Sequence, residues 1–182
     1  KHWIKYIRGI DLGIDHPTAI AWLAYNPDND VIYLLKCYAQ KGQAAAVHAA
    51  AANGYLDFAP MVFPHDVDIR EKGSGKTMRQ YYSEAGIRNT LDFKNQDGSR
   101  YVEPGIQELY DRMVTDRFKV LDVPENQLFF REMRQYHRED GKIVPIDDDV
   151  ISAVRYGGIM ITRYGVTRSR AGHRKPKVRK SF

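Results

Sequence analysis

Apolar residues in the first forty positions fall into three blocks separated by turn formers. Residues 3–12 (Trp-Ile-Lys-Tyr-Ile-Arg-Gly-Ile-Asp-Leu), 18–25 (Thr-Ala-Ile-Ala-Trp-Leu-Ala-Tyr) and 31–38 (Val-Ile-Tyr-Leu-Leu-Lys-Cys-Tyr) are rich in β-branched and aromatic side chains and read as strands. Gly13 through Pro17 and the cluster Asn26-Pro-Asp-Asn-Asp30 read as the turns between them. Three strands joined by short turns predict an antiparallel meander.

The pattern then changes. An alanine-rich stretch at 43–53 predicts a helix ending near Gly54. Residues 60–64 (Pro-Met-Val-Phe-Pro) predict a short buried strand feeding His65-Asp66. Helical spacing recurs at 76–85, 105–115 and 125–139. It is longest at 148–163, where Val150, Ala153, Val154, Gly157, Ile161 and Tyr164 share a face. A β-β-β-α-β-α order followed by further helices predicts an α/β fold, a mixed sheet covered by helices. No internal repeat is present.

Length and composition narrow the class. A chain of 182 residues with 43% hydrophobic content suits one self-supporting domain. The single cysteine, Cys37, excludes an internal disulfide and fits a reducing compartment. No apolar run approaches the ~20 residues of a membrane span, and the start lacks a signal-peptide pattern. The chain begins at Lys1 and runs directly into a strand, so it is expected to be a fragment of a longer protein. The net charge of +5 is concentrated at the end. Residues 168–182 hold seven basic residues and no acid, leaving the remainder slightly acidic. The expected organisation is a compact domain over 1–165 and a basic tail over 166–182, disordered when unbound. Arg174, Lys175, Lys177, Arg179 and Lys180 in that tail are candidates for DNA contact through counterion release, or for docking on an acidic protein surface.

Three acidic positions carry the candidate chemistry. Asp11 ends the first strand and shares a face with Ile7, Gly9 and Gly13; the flanking glycines leave room for a close approach. On its own it reads equally as a strand-end residue bonding the next turn. Asp66 follows the fourth strand directly, where carboxylates often face a ligand crevice, though a plain turn is the alternative. Asp147, Asp148 and Asp149 precede the last helix. One Asp suffices for a cap, and three in a row repel each other unless a cation intervenes. Helical geometry lets at most one or two face a common site. Asp149 lies on the side of Ala153 and Tyr156, and Asp148 on the side of Ser152 and Arg155. Together, two strand-end acids and one helix-start acid suit hard cations such as Mg²⁺ or Mn²⁺. Two such ions about 3.5–4 Å apart would activate a water and stabilise a leaving 3′ oxygen in phosphodiester hydrolysis. The six histidines show no zinc spacing, and His65 is the only one expected near the site.

These residues resemble a known family. Gly9-Ile-Asp-Leu-Gly13, then Pro64-His-Asp-Val-Asp-Ile-Arg-Glu-Lys-Gly-Ser-Gly-Lys-Thr77, Gly105-Ile-Gln-Glu-Leu-Tyr-Asp-Arg-Met113 and Ala153-Val-Arg-Tyr-Gly157 are similar to the C-terminal nuclease domain of tailed-bacteriophage large terminase subunits. The likeness spans roughly residues 6–164. It implies an RNase H-like fold and a two-Mg²⁺ or two-Mn²⁺ endonuclease that cuts concatemeric double-stranded DNA during genome packaging. It also implies an ATPase domain in the same full-length chain, the portal of the procapsid and the small terminase subunit as partners, no membrane, and a place in the host cytoplasm. The resemblance implies Asp11 and Asp66 as metal ligands. Many members carry a His, two spacers, then Asp-Ala-x-Arg-Tyr at the last helix. Here Asp149 stands at the His position and Ser152 at that Asp position, so the third ligand is expected at Asp149, with Asp148 next.

Other features pull in different directions. Gly73-Ser-Gly-Lys-Thr77 imitates a P-loop, but position 70, where that motif has its first Gly, is Arg. Lys72, Lys76 and Arg79 are instead candidates to contact DNA phosphates, or simply form a solvated helix start. Arg155-Tyr156 is expected to steady the acidic end of the last helix from within the core. Two other functions remain open at this level: a DNA-guiding and portal-docking module with dormant cleavage, and an RNase H-like resolvase or recombinase acting on branched DNA.

Overall fold

The computed structural model describes residues 3–13, 15–70, 73–144 and 146–168. Three antiparallel strands come first: β1 (Lys5–Asp11), β2 (Thr18–Asn26) and β3 (Val31–Gln40). They are followed by α1 (Ala45–Asn53), β4 (Met61–Phe63), α2 (Met78–Glu84), β5 (Thr90–Asp92), α3 (Val102–Val114) and β6 (Phe118–Val120). A 3₁₀ turn over Pro124–Asn126 leads into α4 (Gln127–Gln135), the hairpin β7 (Arg138–Glu139) and β8 (Lys142–Ile143), α5 (Asp149–Tyr164) and β9 (Val166–Thr167). The main sheet runs β5-β4-β1-β2-β3-β6, and β9 pairs with the start of β1. The β4–β1, β4–β5 and β3–β6 pairs are parallel. The mixed, helix-covered sheet expected from the sequence is therefore present.

The sheet is buried on both faces. On one, Ile10, Ile20, Trp22, Met61 and Phe63 pack under Ala49 and Ala52 of α1 and Tyr82 of α2. On the other, Ile7, Leu23, Ile32, Leu34 and Val62 pack under α5, with Leu109 of α3 and Phe129 of α4 alongside. Each fully buried aliphatic or aromatic side chain contributes roughly 1.5–3 kcal/mol, so α5 is bound chiefly by Val150, Ile151, Val154 and Ile161, all at most 1% exposed. Tyr164, expected on the same face, is 48% exposed. The helix ends there, and the chain turns through Gly165 into β9.

The sheet and α5 meet at two glycines. A β-carbon at Gly9 would fall 2.0 Å from the Ala153 carbonyl oxygen, and one at Gly157 would fall 2.4 Å from Leu23 Cδ1. Only side-chain-free positions allow helix and strand backbones this close. The contact draws the start of α5 towards the end of β1.

Several local expectations need correction. The helical pattern at 125–139 breaks after Gln135, because Asp140 and Gly141, both at positive φ, form a two-residue hairpin turn. The strands β5, β6 and β9 were not anticipated; at two or three residues each they are too short to show an alternating pattern. The chain expected to leave the domain at 166 instead pairs Val166 with Tyr6 and Thr167 with Lys5.

Candidate active site

Asp11 is the last residue of β1, and Asp149 the first of α5. One ligand atom each from Asp11, His16 and Asp149 lie within 4.8 Å of one another, and His16 Nδ1 is hydrogen-bonded to Asp149 Oδ1. The turn after β1 delivers that histidine. Thr18 Oγ1 accepts from the Gly13 amide at 3.1 Å and donates to the Gly13 carbonyl at 3.3 Å. A β-carbon at Gly13 would lie 2.1 Å from the His16 carbonyl oxygen. His16 is the residue sequence reasoning missed: the expectation that His65 alone would lie near the site was wrong. The Asp-His-Pro run in a tight Gly-bounded turn was the available signal.

The start of α5 is capped from another helix. Glu132 of α4 is buried, and its two carboxylate oxygens accept from Val150 N at 3.1 Å and Ile151 N at 2.9 Å. Asp148, at the N-cap position, makes no side-chain cap bond. The side-chain capping explanation therefore does not hold for Asp148, while Asp149, in the first turn, meets the helix dipole as well as Asp11 and His16. Asp147 takes a left-handed turn conformation (φ 47°), is exposed, and serves to turn the chain into the helix.

The site carries unbalanced negative charge. Burial, together with the charges of Asp149 and Asp148, pushes the Asp11 carboxyl up to about 7, against a lesser opposing pull from His16 and Arg155. Burial and Asp149 also raise Asp148. Burial raises Glu132 to about 7 despite its two backbone donors. Among the described residues, no lysine or arginine forms an ion pair with Asp11, Asp66, Asp148 or Asp149. Asp11 and Asp148, raised by burial and by the charge of Asp149, with His16 as the one side chain paired to Asp149 among the described residues, form a donor set that a hard divalent cation would neutralise.

Asp66 lies in the loop that follows β4, the parallel neighbour of β1. It is exposed and is not part of the Asp11–His16–Asp149 cluster. Its charge is nevertheless felt at Tyr156, whose hydroxyl titration is raised first by burial and then by Asp11 and Asp66. Asp66 thus lies on the Tyr156 side of the site, apart from the three-residue cluster. Arg155 is buried, with its guanidinium 5.0 Å from the Phe93 ring and 4.5 Å from the Tyr156 ring. Its charge partly offsets those of Asp11 and Asp148.

The basic candidates are placed differently. Lys76 pairs with Glu84 at 2.8 Å, and Arg79 is held by Asp68, Asp92 and Thr90. Thr77 caps α2 in a reciprocal box with Gln80, so the P-loop-like run ends in a helix cap. Lys72, Arg174, Lys175, Lys177, Arg179 and Lys180 lie outside the described residues.

Residues 8–160 match the family described as the terminase RNaseH-like domain. The large terminase subunit of Salmonella phage P22 is 40% identical over 173 residues, covering 93% of this chain and 34% of that protein. That of Enterobacteria phage LP7 is 41% identical over 84% of this chain and 32% of its own length. The chain therefore spans about a third of these relatives. The solved P22 large terminase nuclease domain superposes with a TM-score of 0.81 at 35% identity, over 92% of this chain and 86% of that one. The large terminase nuclease domain of phage SPP1 with bound Mn shares the fold, with a TM-score of 0.64 at 18% identity over 84% of each chain. With sequence and fold in agreement over nearly its whole length, the chain belongs to the terminase RNase H-like family of phage large terminase subunits.

Proposed function

We propose that this domain is a Mg²⁺- or Mn²⁺-dependent DNA endonuclease whose cations are held by Asp11, Asp149 and Asp66, with Asp148 beside them. The observation that carries the reading is the meeting of Asp11 and Asp149 at an α5 N-terminus already capped by Glu132. Acids that would otherwise serve the helix are left free to serve a ligand. The P22 nuclease domain and the Mn-bound SPP1 domain support the same reading.

In the reaction, Asp11 and Asp149 would fix the cleavage point between β1 and α5, and the exposed Asp66 would add its carboxylate from the loop after β4. A divalent cation held by these carboxylates would supply Lewis acidity toward the scissile phosphate and would acidify a water for attack. Tyr156 lies against the Asp11 carboxylate, and the buried Arg155 acts on it through its charge and not through a direct bond. Arg155 also lowers the proton affinity of Asp11 and Asp148, which favours the ionised state that a cation needs.

Within the longer protein, the activity fits cutting of concatemeric double-stranded DNA during packaging. That setting brings an ATPase domain of the same chain, the small terminase subunit and the portal of the procapsid as partners in the host cytoplasm. No helix among the described residues is long and apolar enough to cross a membrane. Lys76, Arg79, Lys72 and the tail residues Arg174, Lys175, Lys177, Arg179 and Lys180 are proposed to contact DNA phosphates, Lys76 and Arg79 by exchanging their present carboxylate partners. Plasmid cleavage with Mg²⁺ or Mn²⁺ tests the reading: Asp11→Asn, Asp66→Asn and Asp149→Asn should each abolish it, with Asp66→Asn changing stability by no more than about 1–2 kcal/mol. Cleavage that persists in Asp66→Asn would remove that residue from the ligand set.

A further inference from the structure

We propose that His16 is itself a ligand of the cation held by Asp11 and Asp149, and that its nitrogen biases the site toward Mn²⁺ over Mg²⁺. The inference rests on the reading above that the acids hold a divalent cation. Three features of the structure carry it. Donor atoms of Asp11, His16 and Asp149 lie close enough together to serve one ion. His16 Nδ1 is the atom turned into the cluster, towards Asp149 Oδ1. The Gly13–Thr18 turn, closed by two hydrogen bonds, fixes where the histidine is presented.

The chemistry of the donor sets the preference. An imidazole nitrogen is a softer donor than a carboxylate oxygen; Mg²⁺ keeps to oxygen and water, whereas Mn²⁺, though the weakest nitrogen binder of the first-row transition cations, accepts one more readily than Mg²⁺ does. With only carboxylates the site would discriminate little between the two. Adding one nitrogen strengthens Mn²⁺ while leaving Mg²⁺ nearly unaffected. The competing role is a hydrogen bond that merely orients Asp149. An orienting partner would affect both cations together, since it acts through the carboxylate.

Calorimetric titration of the 182-residue chain with Mn²⁺ and with Mg²⁺ tests this, together with pulsed electron paramagnetic resonance of the Mn²⁺ complex. The expected result is nitrogen coupling to Mn²⁺ in the wild type that vanishes in His16→Ala. Mn²⁺ affinity should fall about tenfold or more, while Mg²⁺ affinity changes much less. His16→Gln, which can still donate a hydrogen bond to Asp149, should behave like His16→Ala. The His16 side chain is 54% exposed, so both variants should fold, and circular dichroism checks that they do. Absence of nitrogen coupling, an equal loss for both cations, or rescue by Gln overturns the proposal. Asp11→Asn separates this from failure of the underlying reading. If Asp11→Asn binds Mn²⁺ as tightly as wild type, the carboxylate site itself is wrong. If it loses Mn²⁺ while His16→Ala does not, only the role of His16 falls.

Discussion

Glu132 accepts the amide hydrogen of Ile151 at 2.9 Å, reaching from α4 to the first turn of α5. With the matching bond to Val150, one buried carboxylate satisfies two of the amides that every helix start leaves open. When ionised it also brings a negative charge to the positive end of the helix dipole. The helix start therefore does not depend on the local aspartates, and Asp149 can face Asp11 and His16.

Glu132→Ala should cost about 2–4 kcal/mol, since two buried amides lose a charged acceptor. Glu132→Gln should cost less, because the amide oxygen can still accept one of them. Urea unfolding monitored by circular dichroism measures both. Equal, small losses would mean that water or another group replaces the cap at no cost.

Gly9→Ala should be far more damaging than Gly157→Ala. The new methyl at Gly9 meets a helix backbone carbonyl at 2.0 Å, while that at Gly157 meets the tip of the buried Leu23 side chain at 2.4 Å and the Gly9 backbone nitrogen only at 3.2 Å. A backbone cannot yield without moving α5 off the sheet, so Gly9→Ala should cost several kcal/mol and abolish cleavage even where folded protein is recovered. Gly157→Ala should cost about 1–3 kcal/mol. Thermal unfolding of the two variants side by side checks the order.

The sequence made the meander and the helical cover legible, and it singled out Asp11 and Asp149, which the fold brings together, because each rests on local pattern or on motifs quoted from short segments; Asp66 lies outside that cluster. It hid what depends on distant pairing. Nothing near Glu132 marks it as the cap of a helix seventeen residues downstream. His16 reaches Asp149 only because Gly9 and Gly157 let β1 and α5 touch. The strands β5 and β6 are made by parallel pairing to β4 and β3, which a three-residue segment does not announce by itself. Asp140-Gly141 did carry a hairpin signal, but the apolar helical spacing on either side masked it.

Arg155→Met should shift the acid limb of cleavage toward higher pH. The buried guanidinium helps keep Asp11 and Asp148 ionised; methionine fills similar space without the charge. Both carboxyls then hold their protons to a higher pH, and cation binding, which needs the ionised form, starts later. Cleavage rate against pH at saturating Mn²⁺ measures the midpoint. A midpoint that stays in place or moves down would show that the charge of Arg155 is not felt at the site.

Without divalent cations, stability should fall as pH rises from about 4 to about 7. Asp11 titrates near 7 in the folded chain and near 3.8 when exposed, and Glu132 near 7 against 4.5. Within that window the folded state binds more protons than the unfolded one, so each step up in pH favours unfolding. His16, raised on balance by Asp149 and Asp11 against its desolvation, contributes in the same direction: its stabilisation is present below its ordinary value and is lost as it deprotonates. Asp11→Asn removes one charge from the cluster, so in EDTA it should flatten this slope and raise Tm at pH 8 above wild type. Mn²⁺ should raise the Tm of wild type at that pH and leave the variant nearly unchanged. Differential scanning calorimetry from pH 4 to 8, with and without Mn²⁺, reads all three outcomes. A metal-free wild type that is most stable at pH 8 would contradict the charge imbalance assigned to Asp11 and Asp149.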